Sequence, residues 1–400
     1  MIILNIERYK INFLSTIIMG IKNLHYFLRK TCPNVYSKIP FSKYAFKKIA
    51  IDISIFMCKY KNSNGHHYID SFLNLISTLR YNEIHFVFVY DSKAPPEKDN
   101  ERKNRIEARE KNKIRIEIIQ SLWERFKLTA PGYPDEFLIY KDSLHEKVND
   151  DVLKNFIMKI IENENNDILS SYRIDYEINK LNNSLLAIRT EDFNLTKEFF
   201  TACKIPILDA EGEAEATCSE LSKKGFVTAV LTEDTDVLAY GAPVMLHKMD
   251  INEETFIEID YGEILQELNL TPDQFLDFCI MCGTDYNQNV PKIGSEKAYK
   301  LIRSYGNIEG IIENLPGISF DVLNYEIVRS LFKKKPCIND EYVPYCGFPN
   351  RVVLENLHFM NNCKFDLNRL YESFQNSKYH DFEFEQKEEK RKNSLLLYNK

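Results

Sequence analysis

Three short apolar runs in this chain each stop at an aspartate: "KIAID" ends on Asp52, "HFVFVYD" on Asp91 and "AVLTED" on Asp234. Runs like these, β-branched or aromatic and bounded by polar residues, are too short for buried helices and read as strands. "IPILD" near 207 and "PVMLHK" near 245 read the same way. Helical patterns fall between them, at Asp70–Arg80, Asp99–Phe126 and Ala214–Lys224. Strands alternating with helices predict an α/β fold, a mostly parallel twisted sheet flanked by helices. Open α/β sheets take their ligands outside the carboxyl ends of the strands, so the three aspartates are expected to share one crevice.

The 400 residues, 44% of them hydrophobic, suffice for one large core or two modest ones. A formal net charge of -7 excludes binding an anionic polymer through overall charge, so any nucleic-acid contact must use a local basic surface. Nine cysteines without dense regular spacing read as reduced thiols of an intracellular protein, nuclear or cytoplasmic. Cys279 and Cys282 in "FCIMCG" lack a second pair to complete a zinc site and read as core packing. "INFLSTIIMGI" at 11–21 has no small-residue cleavage site and is too short to span a bilayer, so no membrane partner is expected.

After Asn269 the pattern changes to short helices. "TPDQFLDFCIMCG" opens on a cap at Thr271 and closes at Gly283, and "SEKAYKLIRSYG" opens on Ser295 and closes at Gly306. Between Leu128 and Asn194 "APGYP" breaks a long helix and apolar residues scatter among polar ones, which predicts a helical insertion.

Two more acidic groups accompany the strand ends: Glu211, Glu213 and Glu215 in "DAEGEAEA", and Asp285 in "MCGTDY". A single acid is ordinarily a solvated surface group or a first-turn helix residue, and Glu211 is read so. Asp52, Asp91, Asp234, Asp236 and Asp285 abut apolar residues, where an ion loses hydration and needs compensation. A divalent metal supplies it. Hard oxygen donors with few histidines nearby select Mg²⁺, with Mn²⁺ as a substitute, over zinc. A group this large could hold two ions about 4 Å apart, an arrangement suited to phosphodiester hydrolysis. Cations for a phosphodiester follow Asp91 in "DSKAPPEKDNERKNRIEAREKNKIR", where Lys98, Arg102, Arg105, Arg109 and Lys113 fall on one face at helical spacing. The interleaved Glu97, Glu101, Glu107 and Glu110 also allow a plain solvated helix, but the position beside Asp91 favours phosphate contact.

Taken in order, "MGIKNLHYFL", "IAIDIS", "VFVYDSKAPPEK", "ILDAEGEAEA", "LTEDTDVLAYG", "FCIMCGTDYNQNVPKIG" and the tail "FKKKPCINDEY" with "FPNRVVLENLHFM" resemble the flap endonuclease and XPG family of structure-specific 5′ nucleases. The resemblance covers most of residues 19 to 380 and implies a PIN-like nuclease core with a helical arch and a helix-turn-helix DNA-binding region. It divides the chain into a leader without counterpart (1–18), an N-terminal nuclease region with the basic arch helix (19–127), an insertion (128–195), an internal nuclease region with the helix-turn-helix element (196–330) and a C-terminal region (331–400). It implies that Asp52, Asp91, Glu213 and Glu215 serve mainly one metal ion, and Asp234, Asp236 and Asp285 mainly the other. Lys98 and Arg105, seven and fourteen residues after Asp91, match the family's two catalytic cations that reach the scissile phosphate. The "KIG" turn at 292–294 resembles the element that grips duplex backbone, often with a bound K⁺, through Lys292 and Gly294, with Lys297 and Lys300 beside it. Gly20, Arg102 and Arg109 are further expected DNA contacts, and the implied partner is DNA with 5′ flaps, nicks or junctions.

The departures from the family pattern are specific. Lys292 stands for the first glycine of the usual Gly-Ile-Gly turn, and Ser92 for another glycine. Cys58 stands six residues after Asp52, where the family often has a base-stacking aromatic, which leaves Phe56 or Tyr60 as stand-ins. The chain is shorter than typical flap endonucleases between Asp52 and Asp91 and longer between Arg105 and Glu213. A four-way-junction or bubble-cutting nuclease of the same family, or a non-catalytic DNA-binding scaffold, are therefore alternatives to a flap endonuclease. The C-terminus carries no Gln-x-x-apolar-x-x-aromatic-aromatic sliding-clamp motif, and "KRK" at 390–392 reads as a nuclear address or a solvated tail. Since "MGIKNL" begins at Met19, the functional protein is expected to start there, the alternative being a flexible leader.

Overall fold

The structure, a computed structural model, describes residues 20–92, 95–128, 168–338 and 343–375. The leader, most of the insertion and the "KRK" tail lie outside the described residues. The chain forms two compact units, one of Ile18–Cys58, His67–Lys98 and Arg189–Lys400, the other of Lys59–His66 and Asp99–Ile188 together with residues 1–17.

The larger unit is built on seven strands: β1 (Tyr36–Pro40), β2 (Lys48–Asp52), β3 (His85–Tyr90), β4 (Ile207–Asp209), β5 (Ala229–Leu231), β6 (Val244–Asp250) and β7 (Thr255–Asp260). Their order in the sheet is β1-β7-β6-β5-β2-β3-β4. The five strands from β6 to β4 run parallel, and β7 and β1 extend that sheet antiparallel. The five parallel strands are those the apolar runs announce. Of the other two, β1 ends in Pro40, tolerable because β1 lies at the sheet edge, where a missing amide costs no ladder bond.

The helices are α1 (Leu24–Thr31), α2 (Ile53–Asn64), α3 (Tyr68–Tyr81), α4 (Asp99–Leu128), α5 (Ile168–Ser184), α6 (Thr190–Ala202), α7 (Ala214–Lys223), α8 (Asp236–Ala239), α9 (Tyr261–Leu268), α10 (Pro272–Cys282), α11 (Ser295–Tyr305), α12 (Ile308–Asn314), α13 (Tyr325–Lys333), α14 (Arg351–Met360) and α15 (Leu367–Gln375). Alternation along the strands sends side chains to both faces of the sheet. Ala50, Val87, Val89 and Val230 join the core containing Ala214, Cys218 and Leu221 of α7. Phe88 stacks on Phe200 of α6, ring centroids 4.2 Å apart, and meets Phe72 of α3 edge-on. Cys279 and Cys282 are buried free thiols, as packing residues should be. Among the described residues no helix is long and apolar enough to cross a membrane.

The C-terminal residues return to the amino ends of the central strands. Lys48 Nζ donates to the Val343 carbonyl at 2.6 Å, the Cys346 amide donates to His85 Nδ1 at 3.1 Å, and the Phe86 amide donates to Cys346 Sγ at 3.4 Å. Beyond them α15 packs against α3.

In α10 the sequence reading of both ends holds: Thr271 Oγ1 accepts the Gln274 amide, and Gly283 closes the helix at φ 94°. In α11 it holds at Gly306 but not at Ser295, which is the first helical residue; Gly294 takes the cap position with extended backbone and no side-chain cap. Lys292 adopts φ 65°, the left-handed conformation a glycine would favour. Lys292, Gly294, Lys297 and Lys300 are all exposed, Lys292 in the turn, Gly294 at the cap of α11, and Lys297 and Lys300 within that helix. Arg329 of α13 fixes this helical region, with two bonds to Asp277 at 2.9 Å and two to Glu309 at 2.8 and 3.1 Å.

In the smaller unit Ile116, Ile119 and Trp123 form a helical stripe on α4, and Ile178 and Leu181 are buried on α5, which packs against α4. Trp123 Nε1 donates to Asp175 at 2.6 Å. Arg102, Arg105 and Arg109 are exposed on α4, Arg105 paired with Glu101 and Arg102 lying 3.8 Å from Asp99. Lys98 does not share their face. Pro95 and Pro96 lack amides to continue a helix backwards, so Pro96–Lys98 forms a separate 3₁₀ turn and α4 begins only at Asp99.

Candidate active site

Sheet register decides where the first acids point. Ala50 pairs with Val87 and Asp52 with Val89, so Asp52 ends β2 on the face covered by α7, and Asp91 follows one pleat beyond Val89. Asp52 is wholly buried. Its Oδ1 accepts the Ser54 amide at 2.9 Å, and the Ser54 hydroxyl donates to Asp91. The Ala214 amide donates to Asp91 Oδ1 at 2.7 Å, tying the N-terminus of α7 to the end of β3. That N-terminus carries Glu213 at its cap and Glu215 in its first turn, where the helix dipole favours negative charge. Phe56, a proposed stacking aromatic, is itself buried in the core and offers no stacking surface.

After β5, Thr232 Oγ1 accepts the Asp234 amide at 3.1 Å, and Asp234 Oδ1 accepts the Asp236 amide at 2.8 Å, turning the chain into α8. Both aspartates are buried. Asp285 follows the Gly283 turn, where Thr284 Oγ1 accepts the Tyr286 amide at 3.0 Å and donates to Asn287 at 2.7 Å. The Ile21 amide donates to Thr235 Oγ1 at 2.8 Å and the Lys22 amide to the Gly283 carbonyl at 3.0 Å, so the segment from Gly20 binds both acid-bearing turns.

Gly20 has φ 80°, and a Cβ there would press on the Asp234 carboxylate and lie 2.7 Å from Thr235 Oγ1 and 2.9 Å from the Asp236 amide. Gly20→Ala should therefore cost about 2 kcal/mol of stability and displace Asp234. A Cβ on Gly294, by contrast, would meet no atom within 4 Å. Gly294→Ala should accordingly cost at most about 1 kcal/mol, through a poorer cap. Urea titration of the two variants checks the contrast, and equal losses would contradict it.

Lys98 completes the group. Its Nζ lies 2.5 Å from Glu213 and 3.2 Å from Asp285, and 5.4 Å from the centre of the Tyr286 ring. The Tyr286 hydroxyl donates to Glu213 and sits 2.9 Å from the Tyr240 hydroxyl. Neither tyrosine stood out in the sequence, although Tyr286 directly follows Asp285 in "GTDY".

Burial, then Asp91 and Asp234, raises the Asp52 carboxyl well above its usual range. Burial, then Asp52 and Asp91, does the same to Glu215, and burial, then Asp234 and Asp285, to Asp236. Asp234 is pushed up to about 7 by burial and Asp285. Burial alone would lower the Lys98 ammonium, but Glu215, Glu213 and Asp285 together hold it well above its usual range. The seven predicted acids and Lys98 thus interact as one group in the larger unit, while Arg102, Arg105 and Arg109 belong to the smaller one.

Residues 19–112 match the XPG N-terminal domain and residues 204–285 the XPG I-region. A probable RAD2-like endonuclease of Invertebrate iridescent virus 3 is 31% identical over 361 residues, covering 85% of this chain and 92% of that protein. The chain belongs to the XPG family of nucleases. Flap endonuclease 1 of Aedes aegypti is 29% identical to this XPG-family chain over 347 residues, covering 81% of it and 77% of the mosquito protein. The catalytic core of Rad2 in complex with DNA substrate shares the fold, with a TM-score of 0.58 at 16% identity over 86% of this chain and 95% of that one.

The acids of this XPG-family protein fit divalent metal. Asp52 Oδ2, Glu215 Oε2 and Asp236 Oδ1 are buried without a hydrogen-bond partner, and hard carboxylate oxygens of this kind suit Mg²⁺. Among the described residues no three His, Cys, Asp or Glu side chains are already gathered closely enough to hold a metal ion. The Lys98 ammonium supplies one positive charge in their midst.

Metal-free protein should lose stability as pH rises from about 6.5 to about 8, by about 2 kcal/mol. The raised carboxyls bind more protons folded than unfolded, so each removes stability as it ionises on the way up. Below pH 6.5 the buried His25 and His85, lowered to about 4 and about 2 by burial and nearby cations, act in the opposite sense. Urea titrations in chelator across that window test this, and millimolar Mg²⁺ should flatten the slope. Stability that rises with pH in chelator would contradict it.

Proposed function

We propose that the protein is a Mg²⁺-dependent, structure-specific 5′ flap endonuclease and 5′ exonuclease acting on DNA in replication, recombination or repair. The observation that carries the reading is the set of buried, unpartnered carboxylate oxygens on Asp52, Glu215 and Asp236 at the strand ends of an XPG-family fold. Asp52, Asp91, Glu213 and Glu215 would hold one ion and Asp234, Asp236 and Asp285 a second. Two such ions supply an activated water and neutralise charge developing on the phosphate. Lys98 stabilises that charge from within the group, and Arg105 is assigned the same task from α4. Arg102 and Arg109 on α4, Gly20, and the turn and helix start bearing Lys292, Gly294, Lys297 and Lys300 would hold the DNA backbone. The turn at Lys292, which adopts φ 65°, would hold K⁺, as the family resemblance implies.

The experiment is cleavage of a labelled 5′ flap, a nicked duplex and a four-way junction side by side, with and without Mg²⁺. The flap and the nick should be cut only with metal, and the flap fastest. Fastest cutting of the junction would move the assignment to a resolvase, and no cutting with Mg²⁺ or Mn²⁺ would leave only a DNA-binding scaffold.

A further inference from the structure

Glu213 stands at the cap of α7, yet its carboxylate makes no cap bond to that helix. A carboxylate that leaves the helix amides has to be aimed by other groups. Oε1 of Glu213 lies 2.5 Å from Lys98 Nζ, and Oε2 accepts the Tyr286 hydroxyl. A phenol carries one proton, and Tyr286 gives its own to Glu213, so the Tyr240 hydroxyl 2.9 Å away donates into Tyr286. The hydroxyls form a one-way chain, from Tyr240 through Tyr286 to Glu213.

Both rings are buried and share one neighbour: Phe332 of α13 packs on Tyr240 with centroids 4.7 Å apart and meets Tyr286 edge-on at 5.3 Å. Their backbones are tied to the acid-bearing turns as well. The Tyr240 amide donates to the Asp236 carbonyl at 2.8 Å, and Tyr286 follows Asp285 with its amide on Thr284 Oγ1. The pair therefore joins the start of α7, the short α8 and the turn after α10. Phenylalanines would fill the same space without burying hydroxyls, so the hydroxyls point to a polar task. We propose that Tyr286 is a positioning residue for the acids: its hydroxyl, braced by Tyr240, fixes Glu213 Oε2 and leaves Oε1 as the edge that meets a cation. In the structure that cation is Lys98. Behind a metal ligand, hydrogen-bond donors of this kind are worth about 10–100-fold in affinity or activity. The inference rests on the metal-dependent nuclease reading above.

The test is calorimetric titration of the full chain with Mn²⁺, without DNA, for wild type, Tyr286→Phe, Tyr240→Phe and the double variant. Phenylalanine keeps each ring beside Phe332 and removes only the hydroxyl. Tyr286→Phe should bind Mn²⁺ about tenfold more weakly than wild type, and the Mg²⁺ concentration giving half-maximal flap cleavage should rise by a similar factor. Tyr240→Phe should lose about threefold, and the double variant should bind no more weakly than Tyr286→Phe, because Tyr240 acts only through Tyr286. Unchanged Mn²⁺ affinity in Tyr286→Phe overturns the proposal even where thermal stability falls, since packing alone then accounts for the rings. Losses that add in the double variant overturn the one-way chain. Wild-type protein that binds Mn²⁺ but cuts no flap refutes the nuclease reading, while the titrations still decide the positioning. Should Tyr286→Phe fail to fold, Tyr240→Phe decides, and full wild-type affinity in it overturns the proposal.

Discussion

Asp236→Asn is expected to cut a 5′ flap about 10³-fold more slowly than wild type while binding it at least as tightly. Asp236 is the cleanest acid to change. Its Oδ1 has no partner, whereas Asp234 Oδ1 holds the turn by accepting the Asp236 amide. The amide side chain keeps the shape but removes a negative charge that opposes both Asp234 and an approaching phosphate. Metal-free Asp236→Asn should also be more stable than wild type, by about 1 kcal/mol, because burial and Asp234 disfavour the charge it removes. Single-turnover cleavage, fluorescence anisotropy with labelled flap and urea titration in chelator read the three quantities. A variant that cuts at near wild-type rate removes Asp236 from the site.

Lys98→Ala should lose activity and stability together. Cleavage is expected to fall about 10²-fold, with the loss in kcat rather than in affinity. The Lys98 side chain is only 14% exposed and contacts Glu213 and Asp285, so its removal leaves buried carboxylates uncompensated. Metal-free Lys98→Ala should be about 3 kcal/mol less stable than wild type. Millimolar Mg²⁺ should restore most of that stability without restoring the rate. Unchanged stability in chelator would show that the ammonium does not balance the acids, and a loss confined to affinity would make Lys98 a DNA anchor.

What the sequence made legible was local. Asp52, Asp91 and Asp234 stood out because each follows an apolar run that becomes a strand of the parallel sheet, and Glu213 and Glu215 through the acidic run "DAEGEAEA" and its resemblance to the family. The antiparallel strands β1 and β7 were not legible: "YSKIP" is mostly exposed and "TFIEID" mixes buried and part-buried positions, so no continuous apolar run marks them. Lys98 was placed on the α4 face by helical spacing alone, and the two prolines before it broke that spacing. Gly294 took the cap from Ser295 because a glycine adopts the extended cap backbone as readily as a serine does. The contact between Tyr240 and Tyr286 joins residues 46 apart, which no periodicity records.

The return of the C-terminal residues to β2 and β3 bears on how the protein is made. Lys48 and Val343 are 295 residues apart in the chain, and Phe86 and Cys346 are 260 apart. Contacts so distant form late, and a sheet that depends on them folds slowly. On the ribosome, strands carrying Asp52 and Asp91 emerge long before the segment that covers their amino ends. Nascent chains therefore pass through a long interval in which the acids exist without a finished sheet to aim them, so cleavage competence arrives only after Val343 and Cys346 have emerged.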